Sequence, residues 1–336
     1  MNKVVSFIIP SYNVEKYISK CLDSFIEEKI MECIEVLVVN DGSKDRTSSI
    51  AHKYEERYPD IFRVFDKENG GHGSTINVGV EKACGKYIKV IDADDWVDQD
   101  QLLVYVQKLQ EISADIVLTP FNTYDIGSKI TTKHALRSVD FEKIISIAEI
   151  LENFSRYDEC LCFHGITYNR EYYMSCKLQL SEHVFYEDNE YATFPFYKAK
   201  TIGLIDAAVY QYRIGDTEQS VSIQSRVKRL DDEKKVIDRM LGFYEKNVTD
   251  AEAKRYFVIK IGRVLVSHWI TCLLAYGDRK KGKKRAKELY REIQKHPEIK
   301  NAVAKKYMVL RIAHGMHMSF QGFMNMIEKS KKRRFK

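Results

Sequence analysis

Asp92-Ala93-Asp94 closes an apolar run over residues 87–91 and is followed by Asp95-Trp96. Two carboxylates one residue apart at a strand end offer hard oxygen ligands of the kind Mg²⁺ or Mn²⁺ prefers beside substrate phosphates. A diphosphate leaving group needs such charge neutralisation as its bond breaks. The plainer alternative is that Asp94 or Asp95 caps the next helix. A second acidic pair, Glu187-Asp188, lies among Phe185, Tyr186 and Tyr191. A carboxylate beside apolar rings can hold its proton to higher pH and serve as a general base, or it can be a solvated helix start.

Other polar clusters repeat the placement of the first. Pro10-Ser11-Tyr12-Asn13 ends the apolar run 4–9, and Asn40-Asp41-Gly42-Ser43 ends 34–39. Asn69-Gly70-Gly71-His72-Gly73 follows a strand expected at 61–65. Tyr12 offers a flat ring for a nucleobase or for the core. Asp41 can accept from a base N–H or form an Asx turn. Asp45 reads as a helix cap. The glycine-rich turn with His72 could cradle an anion, or be a flexible turn with an exposed His.

The elements that must position these clusters alternate. Apolar residues at helical spacing run through 14–26, and helices are expected from Asp45 or Thr47, over 74–83 and near 101–110. A fifth strand is expected at 116–119. Short apolar runs separated by helices predict an α/β fold, a parallel sheet covered on both faces. Ligands of such sheets bind at the carboxyl ends of the strands, so four clusters converge on one edge.

In their order and spacing, these motifs resemble family 2 glycosyltransferases of the GT-A fold, the bacterial surface-glycan type. The resemblance rests on residues 9–13, Val38-Val39-Asn40-Asp41-Gly42-Ser43-Lys44-Asp45, Asn69-x-Gly71 with Asn77-x-Gly79, Ala83-x-Gly85-x-Tyr87-Ile88, and Ile91-Asp92-Ala93-Asp94-Asp95-Trp96. It implies a mostly parallel sheet flanked by helices, with a C-terminal helical region. It covers the first third of the chain closely and extends loosely to residue 225. It implies a nucleotide-sugar-binding half at 1–120, an acceptor-binding half at 121–225 and a helical region at 226–336. It places Pro10, Tyr12 and Asp41 around uracil, Asp92 and Ala93 near the ribose, and Asp94 with Asp92 on Mn²⁺ or Mg²⁺. Asp188 becomes the base that deprotonates the acceptor. Arg213, in Tyr210-Gln211-Tyr212-Arg213, and Ser220 close over the diphosphate; an exposed Arg213 on an edge strand is the alternative. Where the family often has Ala-Arg-Asn, this chain has Thr75-Ile76-Asn77, so a diphosphate contact is missing and His72 is a candidate substitute. His164 and His183 lie near these segments as ordinary core or surface residues.

The 336 residues carry a net charge of +6, unevenly distributed. Residues 277–336 hold 19 Lys/Arg and 5 Asp/Glu, or +14, which leaves −8 for the rest. A basic end points to an anionic partner, membrane or nucleic acid. Residues 303–328 place Met308, Ile312, Met316, Phe320, Phe323, Met324 and Ile327 on one helical face, ahead of the cluster at 329–336. An amphipathic helix with a polybasic patch supplies two membrane signals. Internal packing with a solvated tail is the alternative. No zinc-finger or aromatic RNA-binding motif supports nucleic acid.

Seven scattered Cys without Cys-x-x-Cys fit reduced thiols of the cytoplasm. Cys160 and Cys162 alternate as in a strand. No run of about 18 uncharged apolar residues suggests a membrane span, and the apolar start is too short for a signal peptide. A dinucleotide-dependent oxidoreductase would need Gly-x-Gly-x-x-Gly after the first strand, where Pro10–Asn13 stand instead. A non-catalytic partner protein would not need intact acidic motifs. The expectation is therefore a metal-dependent, inverting transfer from a nucleotide sugar, a UDP-sugar by resemblance, to a glycan or polyprenyl-diphosphate-linked acceptor in surface polysaccharide synthesis. The enzyme is expected in the cytoplasm, peripheral on the inner face of the membrane.

Overall fold

The computed structural model describes residues 3–215 and 222–334. It divides into two compact units, Met1–Asp216 and Thr217–Lys336.

The first unit carries eleven strands: β1 (Val5–Ser11), β2 (Ile34–Asn40), β3 (Phe62–Asp66), β4 (Tyr87–Val90), β5 (Trp96–Val97), β6 (Ile116–Leu118), β7 (Phe121–Asp125), β8 (Thr131–His134), β9 (Ile166–Asn169), β10 (Ile202–Leu204) and β11 (Tyr210–Ile214). Seven form one sheet in the order β10-β6-β9-β4-β1-β2-β3. β1 and β2 are buried along their whole length, which is why they read as largely apolar runs. β1 to β4 are mutually parallel, so their carboxyl ends share one edge. The sheet is not parallel throughout. β9 runs antiparallel between β4 and β6. A smaller sheet has the order β5-β11-β7-β8.

The expected helix over 14–26 contracts to Ile18–Asp23. Ser24 Oγ donates to the Cys21 carbonyl at 2.6 Å and accepts from Val97 N–H at 3.1 Å, and the turns after Leu22 close on three residues rather than four. Helices Thr47–Arg57, His72–Lys82 and Gln99–Glu111 stand close to their expected places. Asp45 is not the N-cap of Thr47–Arg57, a position held by Arg46, but one residue before it Asp45 accepts from Thr47 N–H at 2.9 Å. Neither Asp94 nor Asp95 caps Gln99–Glu111. Asp98 does, through Gln101 N–H. Cys160 and Cys162 are not in a strand: Cys160 ends one short 3-10 turn and Cys162 precedes another.

The second unit is helical, with Leu230–Asn247, Ala251–Ile270, Arg279–Glu292, Pro297–Gly315 and Phe320–Arg334 as its main elements. Trp269 is fully buried and meets Tyr307 at 4.7 Å, while Tyr290 stacks on Tyr307 at 4.1 Å. Ala251–Ala275 is long and apolar enough to cross a membrane. Of its most apolar stretch 67% is buried within the structure, as in a core helix. The single amphipathic face expected over 303–328 is broken by a turn at His317, whose φ is +55°. Phe323 beyond the turn is buried, whereas Met308, Ile312 and Met316 before it are exposed.

Candidate active site

The loops after β1 to β4 are tied to one another in sequence across the sheet edge. Asn13, with a left-handed φ of +52°, donates from its N–H to Ser43 Oγ at 3.0 Å, and its side chain accepts from Lys44 N–H at 2.8 Å. Pro10 lies within β1 opposite Val39, and Tyr12 projects beyond it with 49% of its surface exposed.

Asp41 is buried, and its carboxylate gathers the next loop. Lys67 Nζ and Gly70 N–H donate to Oδ1, each at 2.8 Å. Gly71 N–H at 2.8 Å and Asn69 Nδ2 at 3.0 Å donate to Oδ2. Four donors fill the acceptor capacity of a carboxylate. The Gly70 and Gly71 amides of the glycine turn are therefore engaged by Asp41, which anchors that turn. Gly71 must be glycine: its φ is +86°, and a Cβ there would lie 2.9 Å from His183 N.

His72 opens the helix His72–Lys82 and is no exposed bystander. Its Nδ1 lies 2.6 Å from Glu187 Oε1 and its Nε2 2.9 Å from Asp92 Oδ1. Burial works against the imidazolium, but Asp92 and Glu187 together raise the His72 pKa well above its usual value. Burial likewise opposes ionisation of Asp92, and His72 more than offsets it, so Asp92 is held below the usual carboxylate range. At Gly73, a Cβ would lie 2.2 Å from the Ser181 carbonyl, so the loop carrying Glu187 can close down only over glycine.

Asp92, Asp94 and Asp95 present ligand atoms all within 4.8 Å of one another. The set fits a divalent cation: oxygen donors only, and like charges crowded together. Burial, then the Asp92 charge, raises the Asp94 pKa, and burial with Asp94 and Asp92 pushes Asp95 well up. Asp95 is bound into the protein, accepting from Tyr210 Oη at 2.7 Å and Arg213 N–H at 2.7 Å. Tyr210 Oη also accepts from Asp92 N–H at 3.1 Å. The pairing of β5 with β11 brings these groups together.

Arg213 is not on an edge strand, because β11 lies between β5 and β7. It is buried, stacks 3.9 Å over Tyr17 and donates from Nη2 to Asp94 Oδ2 at 3.2 Å. Ser220 lies outside the described residues.

Asp188 begins the short helix Asp188–Tyr191. Burial, then the adjacent Glu187, pushes its pKa up to about 6. Glu190 fixes the preceding loop, accepting from Ser181 N–H at 2.9 Å and Ser181 Oγ at 2.6 Å.

Asn77 does not join the acidic cluster. Its side chain accepts from Leu180 N–H at 2.9 Å and donates to the Leu180 carbonyl at 3.1 Å. It lines a cavity of about 420 Å³ with Glu81, Tyr173, Lys177 and Glu182, which contains none of Asp92, Asp94 and Asp188. His164 is a ring in a stack, 4.2 Å from Tyr212 and 5.1 Å from Phe121, and burial lowers its pKa to about 4. His183 is exposed, and its N–H donates to the Gly70 carbonyl.

Sequence reasoning missed Lys67, and it missed the contacts through which Glu187, Asp95 and Tyr210 act: these span 26 to 118 residues, and no local pattern shows them. Lys89 did leave a signal, a charge inside an apolar strand. It is fully buried, donates to the His164 carbonyl at 2.9 Å and the Ile166 carbonyl at 3.3 Å, and burial lowers its pKa to about 7.

A parallel-edged α/β sheet with an acidic cluster after its fourth strand is the architecture of a GT-A domain. Residues 6–175 match the model of glycosyl transferase family 2, and the chain belongs to that family. Among curated relatives, glycosyltransferase GlyA of Streptococcus pneumoniae is 33% identical over 47% of this chain and 23% of its own length. The uncharacterized glycosyltransferase EpsJ of Bacillus subtilis is 30% identical over 63% of this chain. The chain covers 62% of EpsJ, so both relatives are matched over less than two thirds of their length. The crystal structure of S. aureus TarS 1-349 superposes with a TM-score of 0.64 at 19% identity, covering 98% of this chain and 91% of that one. TarS 1-349 has also been solved with UDP, at a TM-score of 0.58, 18% identity, and 98% and 91% coverage.

Proposed function

We propose that the chain is an inverting glycosyltransferase of surface-glycan synthesis that uses a nucleotide sugar, a UDP-sugar, as donor and a glycan or polyprenyl-diphosphate-linked intermediate as acceptor. The observation that carries this is the link from Asp92 through His72 to Glu187, the chain neighbour of Asp188, the base in this reading. Family membership and the UDP complex of a protein of the same fold support the donor class.

Tyr12 stacks on the base, its loop held by Asn13 and Ser43. Asp92 and Ala93 border the ribose. Asp94 and Asp92 would hold Mn²⁺ or Mg²⁺, which supplies neutralisation of charge on a leaving diphosphate. Arg213 leaves Asp94 for the diphosphate when the donor enters. Asp188, ionised above pH about 6, takes the proton of an acceptor hydroxyl. That oxygen attacks the anomeric carbon, the bond to the diphosphate breaks on the opposite face, and the configuration inverts.

A thermal-shift screen of nucleotide sugars with Mn²⁺ tests the donor class, because a bound donor stabilises the fold by mass action. UDP-sugars are expected to raise the melting temperature and other nucleotide sugars less. Transfer should cease with EDTA and return with Mn²⁺ or Mg²⁺. Full activity without divalent ions overturns the metal assignment.

A further inference from the structure

Helix Pro297–Gly315 has two apolar faces where its fold needs one. Ile299, Val303, Tyr307, Leu310 and Ala313 form the buried face. Met308, Ile312 and Met316, each four residues from the next, remain 62%, 60% and 69% exposed, and Val309 beside them is 42% exposed. Lys305 leads the stripe on its own side of the helix and Arg311 flanks it, both exposed. The helix carries four Lys/Arg against one Glu, within a 60-residue segment of charge +14.

We propose that this stripe is the surface by which the protein lies on an anionic lipid bilayer, the three long side chains entering the acyl boundary while Lys305 and Arg311 meet lipid phosphates. Charge decides the occupant. A second copy would bring the same surplus of positive charge against itself, whereas an anionic leaflet complements it. Size agrees: a stable protein interface takes about 20–30 residues a side, and three apolar side chains in a line with Val309 beside them fall far short. A narrow apolar stripe bordered by basic residues is what an interfacial helix presents. The surface deepens the reading of a membrane-borne acceptor and rests on it, yet binding is read on vesicles without donor or acceptor, so that each can fail alone.

The test is co-sedimentation of the full chain with phosphatidylglycerol–phosphatidylcholine vesicles, and with pure phosphatidylcholine. Wild type is expected on the anionic vesicles, weakening as salt rises. The triple variant M308Q/I312Q/M316Q should bind them roughly ten-fold more weakly or worse, with an unchanged melting temperature. K305Q/R311Q should flatten the salt dependence. Failure of wild type to sediment, or equal binding by the triple variant, overturns the proposal. So does light scattering that shows a dimer which the triple variant abolishes, since the stripe would then belong to a second copy. Loss of UDP-sugar transfer with vesicle binding intact would instead fail the functional reading alone.

Discussion

His72 and Glu187, 115 residues apart in the chain, meet through Nδ1 and Oε1 at 2.6 Å, and the other nitrogen of the same ring holds Asp92. One imidazole thus joins the acidic cluster to the segment that carries Asp188.

Replacing His72 should cost both rate and stability. H72A leaves buried Glu187 without its cation and frees Asp188 to shift. A fall in kcat/KM on the order of 10–100-fold is expected, since small misplacements at a reacting centre cost that much. The His72 pKa is raised in the fold. Its contribution to stability is therefore full below about pH 6.5 and is lost as pH rises through the folded value. A melting-temperature difference between wild type and H72A that shrinks at alkaline pH would bear this out; one independent of pH would refute the ion pairing.

Asp188 makes the opposite pH claim. Transfer requires its ionised form, so kcat should rise through pH about 6 and level off above it. Because the folded pKa is raised, ionising Asp188 costs the fold stability as pH climbs from about 4 to about 6. D188N should abolish transfer, keep UDP binding, and melt at or above the wild-type temperature at pH 7. Unimpaired turnover would remove Asp188 as the base.

Asp41 should prove to be a structural anchor. D41N turns an amide N–H₂ toward N–H donors at Gly70 or Gly71 and strips Lys67 of its counter-charge. A loss of about 2 kcal/mol in denaturant unfolding is expected. Unchanged stability with a raised donor KM would instead return Asp41 to the nucleobase.

Tyr12 is exposed and projects from the site edge. Y12A should raise the donor KM roughly ten-fold, the scale of a lost base–aromatic stack, while stability stays within about 0.5 kcal/mol. A donor KM equal to that of wild type would leave the ring without a role in binding.

The strands of the parallel edge were legible because β1 and β2 are buried on both faces and therefore mostly apolar, Ser6 and Glu35 inside them being paired with each other. The polar turns after them were legible because such a run can end only in groups that face water or a ligand. The antiparallel course of β9 was not, since pairing direction is set by partners 48 to 82 residues away. Nor was the shortening of the first helix, which depends on Ser24 meeting Val97. Asn77 shows the limit of a motif: it stands at the family's position, yet its amide clamps Leu180.

The linear order of residues was enough to establish the sheet edge, the residue types gathered on it and the charge divided between an acidic body and a basic end. Their functions in the fold waited on contacts between distant segments. A carboxylate is a base, an anchor or a ligand according to what desolvates it and which donors reach it. Only the folded chain brings Glu187 to His72, Arg213 to Asp94 and Lys67 to Asp41. By the same logic, only packing separates the covered face of Pro297–Gly315 from the stripe of Met308, Ile312 and Met316 that the core leaves open.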